Sequence, residues 1–515
     1  MVWRLIFNLS FAMKRFVAAI LFILGGLSLS AQSFEEYKAR ARKEFDEYRS
    51  QREQDFRAYR EKVNAEFAEY MRQAWRRYEG KPAVPEPQKI PDVPPVVLPD
   101  LGEPEVPDNE IPYIDVIPFD FEDIDPIPLL PLPETPEHDP VMPDLIPEGP
   151  MMDVLFYGTR CAFRFNPDDR AWLKDSSEDS AADMWEDMCR SEYDNLLLDC
   201  LESRRRLNLC DWAYYELTQT IASEIYGDGN ETVLLTAFLM NQSGFRLRLG
   251  RDDDGCFHIL IGADGGIYGC PYFKIGSHDY FLTDGFTGGY LDIFARDYPN
   301  EKSIRLFIDD IQDFEERRSG QRALVSERYP SAEGTTDVNL NLMDFYQNYP
   351  HPFRDADRHD TWVFYAEAPL SSHLKEQLLD PLATSIEGLS QEDAANVLIN
   401  FVQTAFEYQT DDEQWGYERP FFPEETLFYP YSDCEDRSIL FARLVKELMG
   451  LDVVFLHYPG HLATAVRFDE AIAGDHLMIE GGKYLVCDPT YINASIGMQM
   501  PQMEGKEVNV IRITN

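Results

Sequence analysis

The sequence predicts an α+β protein, because segments with helical apolar spacing lead into runs with strand character. Three observations carry that prediction. Near the C-terminus Ile439, Leu440, Leu444, Val445 and Leu448 recur at three- and four-residue intervals until Gly450. Apolar runs at 451–456 and 462–466 follow, then a hairpin pattern at 477–480 and 483–486 through Gly481-Gly482. Upstream, helical patterns at 182–201, 211–226 and 231–240 precede strand-like runs at 245–249, 256–261 and 266–273. Before residue 151 the pattern is different, a long helix and then a proline-rich stretch.

Residues 1–31 have the form of a secretory signal. Lys14-Arg15 precede an apolar run at 16–29, small residues end it at Ser30-Ala31, and Met13 could serve as the start. The apolar run is short for a membrane span, so cleavage after Ala31 and export to the periplasm, cell surface or medium are expected. Residues 33–80 read as one helix carrying an eleven-residue aromatic repeat. Phe34, Phe45, Phe56, Phe67 and Tyr78 are shadowed three residues later by Tyr37, Tyr48, Tyr59 and Tyr70. A wet aromatic stripe calls for a partner, and self-association is preferred over docking on the body. Residues 81–150 hold 20 of the chain's 34 prolines, with many acids and only Lys81 and Lys89 as bases. They read as an extended acidic linker, able to reach about 200 Å at roughly 3 Å per residue.

Residues 151–300 read as a mixed domain. Residues 301–384 read as a small β-rich domain, from strand-like runs at 303–308, 338–343 and 361–365. The order helix, Gly244, strand, His258-bearing strand echoes the C-terminal order, which suggests a degenerate copy without a cysteine at the nucleophile's place. Asp252-Asp253-Asp254-Gly255 resembles part of a calcium loop but reads better as a tight turn. Eight cysteines in an exported chain admit many disulfide pairings.

The chemistry concentrates in residues 385–515. Asp433 is a natural N-cap, which places Cys434 in the first helical turn, where free N–H groups and the helix dipole favour a thiolate. His461 heads a strand and Asp488 ends one, each 27 residues after the previous member of the set. A helix-initiating cysteine, a base and an acid that orients the base are the parts of a nucleophilic triad. The run Pro423-Glu-Glu-Thr-Leu427, Asp433-Cys434-Glu435-Asp436, Gly460-His461 and Cys487-Asp488-Pro489-Thr490 resembles the transglutaminase-like superfamily of papain-related cysteine enzymes, and the helix at 394–408 fits its upstream segment. The resemblance covers about residues 385–495. It implies a papain/transglutaminase-like domain with catalytic Cys434, His461 and Asp488, and thioester chemistry passing the acyl group to water or an amine. The Cys434 N–H would be one oxyanion donor; Gln414 and Trp415 are candidates for the second.

Other readings of these residues are a buried helix cysteine, or a zinc site from Cys434, His457, His461 and Cys487, whose spacing lacks close ligand pairs. Asp436 and Arg437 read as structural charges of the first turn. A Cys434–Cys487 disulfide would silence the site. With 92 acidic against 47 basic residues and a formal charge of −45, the chain should repel nucleic acid and anionic lipid. No nucleotide fingerprint, cofactor motif or later membrane span is expected. Together these features point to an exported cysteine peptidase or acyltransferase acting on a protein or peptide, with hydrolysis favoured. The competing class is a cell-envelope scaffold working through its helix and linker.

Overall fold

The computed structural model describes residues 58–85, 93–98, 149–190, 193–354 and 361–513. The signal segment, most of the aromatic repeat and most of the proline-rich stretch lie outside the described residues. Among the described residues no helix is long and apolar enough to cross a membrane.

Two antiparallel sheets, each backed by helices, dominate an α+β architecture. The first sheet contains β1 (Arg76–Glu79), β2 (Leu247–Arg251), β3 (Phe257–Ile261), β4 (Tyr272–Ile275), β5 (His278–Phe281) and β6 (Tyr290–Phe294), in the order β1-β6-β2-β3-β5-β4. Lys81 bridges Tyr272 on β4, so the chain leaving β1 links the two edges of this sheet. Between β1 and β2 the described residues form the helices α1 (Glu178–Arg190), α2 (Tyr193–Arg206), α3 (Asp211–Tyr226) and α4 (Asn230–Gln242). The second sheet contains β7 (Asp452–Tyr458), β8 (His461–Arg467), β9 (His476–Ile479), β10 (Gly482–Cys487) and β11 (Asn509–Arg512), in the order β9-β10-β8-β7-β11. Each sheet carries a small apolar core of its own, while one larger core runs through the helices and the opposite sheet faces.

Between the sheets in sequence come α5 (Leu340–Asn348), α6 (Thr361–Glu367), α7 (Gln391–Thr404) and α8 (Pro423–Phe428). Then follows α9 (Cys434–Met449), the helix that leads into β7. The β-rich domain expected at 301–384 is not formed. Residues 303–308 make only a bridge from Ile304 to Ala263, and the expected strands at 338–343 and 361–365 are α5 and α6. Asn339 caps α5, its side chain accepting from Asn341 N, and Leu342, Met343, Phe345 and Tyr346 are buried at helical spacing. In α6 the β-branched and aromatic run Thr361–Tyr365 has high strand propensity, but burial of Val363, Phe364, Tyr365 and Ala366 overrides it. The described residues from 149 to 513 belong to a single compact unit, and those within 301–384 form no separate body.

The expected helix to residue 80 also ends early. Residues 58–71 are helical, whereas Arg76–Glu79 form β1, paired with β6. Phe67 is buried 5.1 Å from the Trp185 ring and 4.9 Å from that of Phe294, and Trp75 packs on Phe257. This end of the aromatic stripe docks on the body, the arrangement ranked second to self-association. Where the linker is described it also lies along the body. Gly269 N donates to Val84 O, and residues 93–98 run beside the second sheet.

Candidate functional site

The helix that starts the site is shaped by local signals. Asp433 and Asp436 form a capping box, each carboxylate accepting the other's backbone N–H, so Cys434 is the first residue of α9. Gly450 ends the helix in the left-handed conformation (φ 66°) that an L side chain resists. Two residues join β7 to β8, and Gly460 (φ 73°) permits the turn that delivers His461 to the head of β8.

His461 Nε2 donates to Asp488 Oδ2 at 2.8 Å, and both side chains are sealed from solvent. Asp488 Oδ1 accepts from Thr490 N at 2.9 Å, which fixes the carboxylate at the end of β10. His461 Nδ1 is buried and without a hydrogen-bond partner. The structure therefore joins the expected base and acid. It does not hydrogen-bond Cys434 to His461; the thiol instead donates to Glu435 Oε2 at 3.0 Å.

Two bridges hold the start of α9 against the strands that carry the pair. Ser438, one turn after Cys434, donates through Oγ to Leu462 O, the carbonyl next along from His461, at 2.9 Å. Arg437 donates to Ser432 Oγ, Gln403 O and Phe406 O, and Gln403 Nε2 in turn donates to the carbonyls of Asp488, Tyr491 and Ala494. Arg437 is wholly buried, and burial pushes its pKa down to about 10, opposed by Tyr408, Asp433 and Asp436, so it stays cationic at neutral pH. The expectation that Arg437 is structural holds, but the sequence concealed its reach. Nothing local signals the role of Gln403, because its partners lie 85 to 91 residues away.

A second wall of the site comes from residues 411–425. Phe421 N donates to Asp436 Oδ1, and Arg419 pairs with the buried Glu425 while lying over the Trp415 ring at 4.5 Å. Burial raises the pKa of Glu425, with Arg419 opposing. Trp415 Nε1 is buried without a hydrogen-bond partner, and Trp415 N donates to Asp411 O. The Asp411 and Glu435 carboxylates approach within 4.8 Å.

The zinc reading does not fit this geometry. Among the described residues the clusters tight enough for a metal are Asp433–Cys434–Glu435 and Asp411–Glu418–Glu435, and neither includes His461 or Cys487. His457 packs against Trp362, and Cys487 is a core thiol that donates to Leu485 O, its pKa pushed up by burial. No disulfide joins any of the eight cysteines, so the bridges anticipated for an exported chain, a Cys434–Cys487 bond included, are not formed. The Asp252 segment is a tight turn. Asp252 Oδ1 accepts from Asp254 N and Cys256 N, and Oδ2 faces His258.

No protein-family model matches the chain, and no curated protein matches its sequence.

Proposed function

We propose that the chain is an exported transglutaminase-like cysteine enzyme that cleaves peptide or isopeptide amides, with Cys434 as nucleophile, His461 as base and acid, and Asp488 as its orienter. The observation that carries this reading is the state of His461. One ring nitrogen is locked to a buried carboxylate and the other is left without a partner, beside a helix whose first residue is a cysteine.

In the reaction the Cys434 thiol turns from Glu435 and gives its proton to His461 Nδ1. The thiolate attacks the amide carbonyl, and the resulting oxyanion is met by the Cys434 N–H and, in this reading, the unpartnered Trp415 indole N–H. The C–N bond breaks as His461 returns the proton to the leaving amine, which leaves a thioester. Water, deprotonated by His461, then attacks that thioester; the C–S bond breaks and the thiol re-forms. Asp488 holds the imidazole tautomer throughout. Transfer to an amine uses the same intermediate with a different acceptor. The acidic surface suits neutral or basic peptides.

The deciding experiment is pH-dependent alkylation of Cys434 by iodoacetamide, with the labelled residue located by mass spectrometry. Rapid labelling below pH 7 that is lost in His461→Ala, together with loss of any amidase turnover in Cys434→Ala at unchanged fold, is expected. An ordinary thiol profile, indifferent to His461, would move the assignment to the scaffold class.

A further inference from the structure

Cys434, His461 and Asp488 are only 1%, 2% and 3% exposed, so no peptide reaches them unless some segment leaves. The segment that touches both sides of the His461–Asp488 pair comes from the proline-rich stretch. Val93 N donates to Gly460 O, the carbonyl just before His461, at 3.2 Å. At its other end Leu98 N donates to Ile492 O at 3.0 Å, Ile492 N donates to Val96 O at 2.9 Å, and Asn493 Nδ2 donates to Leu98 O at 2.9 Å. Asn493 N donates to Gln403 Oε1, and Gln403 is the side chain that grips the Asp488 carbonyl. Val93, Val96 and Leu98 pack, half-buried, on the small core of the second sheet, which includes Tyr458, the cross-strand neighbour of His461. Pro94 and Val97 face solvent, and Pro94 and Pro95 have no N–H to offer.

This is how an extended peptide is held by a protein: main-chain hydrogen bonds at intervals and alternate apolar side chains in shallow seats. The hold is also light, with four backbone-directed hydrogen bonds and no fully buried side chain. We propose that residues 93–98 occupy the seat of an extended peptide substrate, so that the intact chain is held closed by its own linker. Resting on the cysteine-enzyme reading above, this names the substrate class. It is an extended segment with branched apolar residues at the positions of Val93, Val96 and Leu98, tolerant of proline between them. Activation is displacement or cutting of the strap.

The test uses the purified full chain and the rate of Cys434 labelling by iodoacetamide at pH 7. The combined variant Val93→Asp, Val96→Asp, Leu98→Asp should label at least tenfold faster than wild type. A synthetic peptide of residues 91–100 should slow it again, whereas a scrambled peptide should not. If the charged variant loses its native circular dichroism, Val93→Pro with Leu98→Pro decides instead, since it deletes two strap N–H donors without adding charge. Equal, His461-dependent labelling in wild type and variant would overturn the strap and leave the enzyme reading standing. Faster labelling that ignores His461→Ala would overturn the enzyme reading and keep residues 93–98 as a mere cover.

Discussion

The two sheets make an instructive pair. Leaving aside β1 at its edge, the first has the order β6-β2-β3-β5-β4 and the second β11-β7-β8-β10-β9, which is the same sequence of strands counted from either start. In each, a helix precedes the first of these strands and a left-handed glycine, Gly244 or Gly450, lies between them. In each, a histidine near the start of the second strand meets an aspartate that follows the strand beside it, His258 with Asp284 and His461 with Asp488. The differences lie at the helix start. Asn230 opens α4 without a side-chain cap and donates to Gly255 O, whereas Cys434 opens α9 behind a capping box. His258 has a carboxylate at both ring nitrogens, and His461 has one carboxylate and one unpartnered nitrogen. One strand order thus supports two kinds of histidine, and the local residues at the helix start and the turn decide which.

The largest test of that contrast removes the anchor that only the second unit has. Counted from the first helical residue, Arg437 corresponds to Val233. Arg437→Met keeps most of the volume but strands the carbonyls of Gln403 and Phe406 in the core. A loss of about 3 kcal/mol is expected, since each buried unsatisfied acceptor costs roughly 1–3 kcal/mol. Urea melts would show it, and a loss under 1 kcal/mol would mean the start of α9 is held by packing alone.

A smaller effect is expected at Glu435, whose carboxylate holds the thiol proton. Glu435→Gln takes a negative charge from beside the sulfur and so favours the thiolate. Alkylation about threefold faster at a fixed pH below neutrality is the expected outcome, because the gain in thiolate is partly offset by its lower intrinsic nucleophilicity. Slower labelling would show that Glu435 assists the nucleophile.

The same comparison shows what the sequence made legible. The cap at Asp433, the stop at Gly450, the turn before His461 and the hairpin through Gly481 are signalled within a few residues, and all are found in place. Also legible was the echo of the second unit in the first, as helix, glycine, strand and His-bearing strand. What stayed hidden depends on distant partners. Gln403 and Arg437 reveal their role only when α7, α9 and the chain after β10 meet, and Val93–Leu98 look like any other part of a proline-rich stretch. Strand propensity misled at Thr361–Tyr365, and the aromatic repeat misled at Tyr78, because in both places tertiary packing outweighs local preference.

The first unit's histidine gives a test of about 1 kcal/mol. Burial alone would lower the His258 pKa, but the hydrogen bonds and charges of Asp284 and Asp252 outweigh it and raise the pKa above 6.5. A raised folded-state pKa contributes stability that is complete below about pH 6.5 and is lost as the pH rises through the folded value. His258→Gln should therefore cost more at pH 5.5 than at pH 9, by about 1 kcal/mol or less, as is typical of partly exposed ion pairs. Equal costs at both pH values would mean that His258 is neutral in the fold despite its two carboxylate partners.

The smallest expected effect is also the most direct attempt to break the distinction. Asn230→Cys places a thiol at the first helical residue of the first unit, where Cys434 stands in the second. Asn230 Oδ1 accepts from Phe257 N at 2.8 Å, so the new side chain would sit beside the strand that carries His258. With both of its ring nitrogens engaged by carboxylates, His258 cannot take a proton from that thiol. The introduced cysteine should label with the profile of a helix-terminal thiol, and adding His258→Gln should leave its rate unchanged within about twofold. Relief comes from the competing acid: Asp252→Asn removes the carboxylate charge at Nε2, and only in that background should His258 begin to accelerate labelling. If His258 already accelerates labelling with Asp252 intact, then the strand order itself aligns base and helix start, and the two acids around His258 are not what keeps the first unit silent.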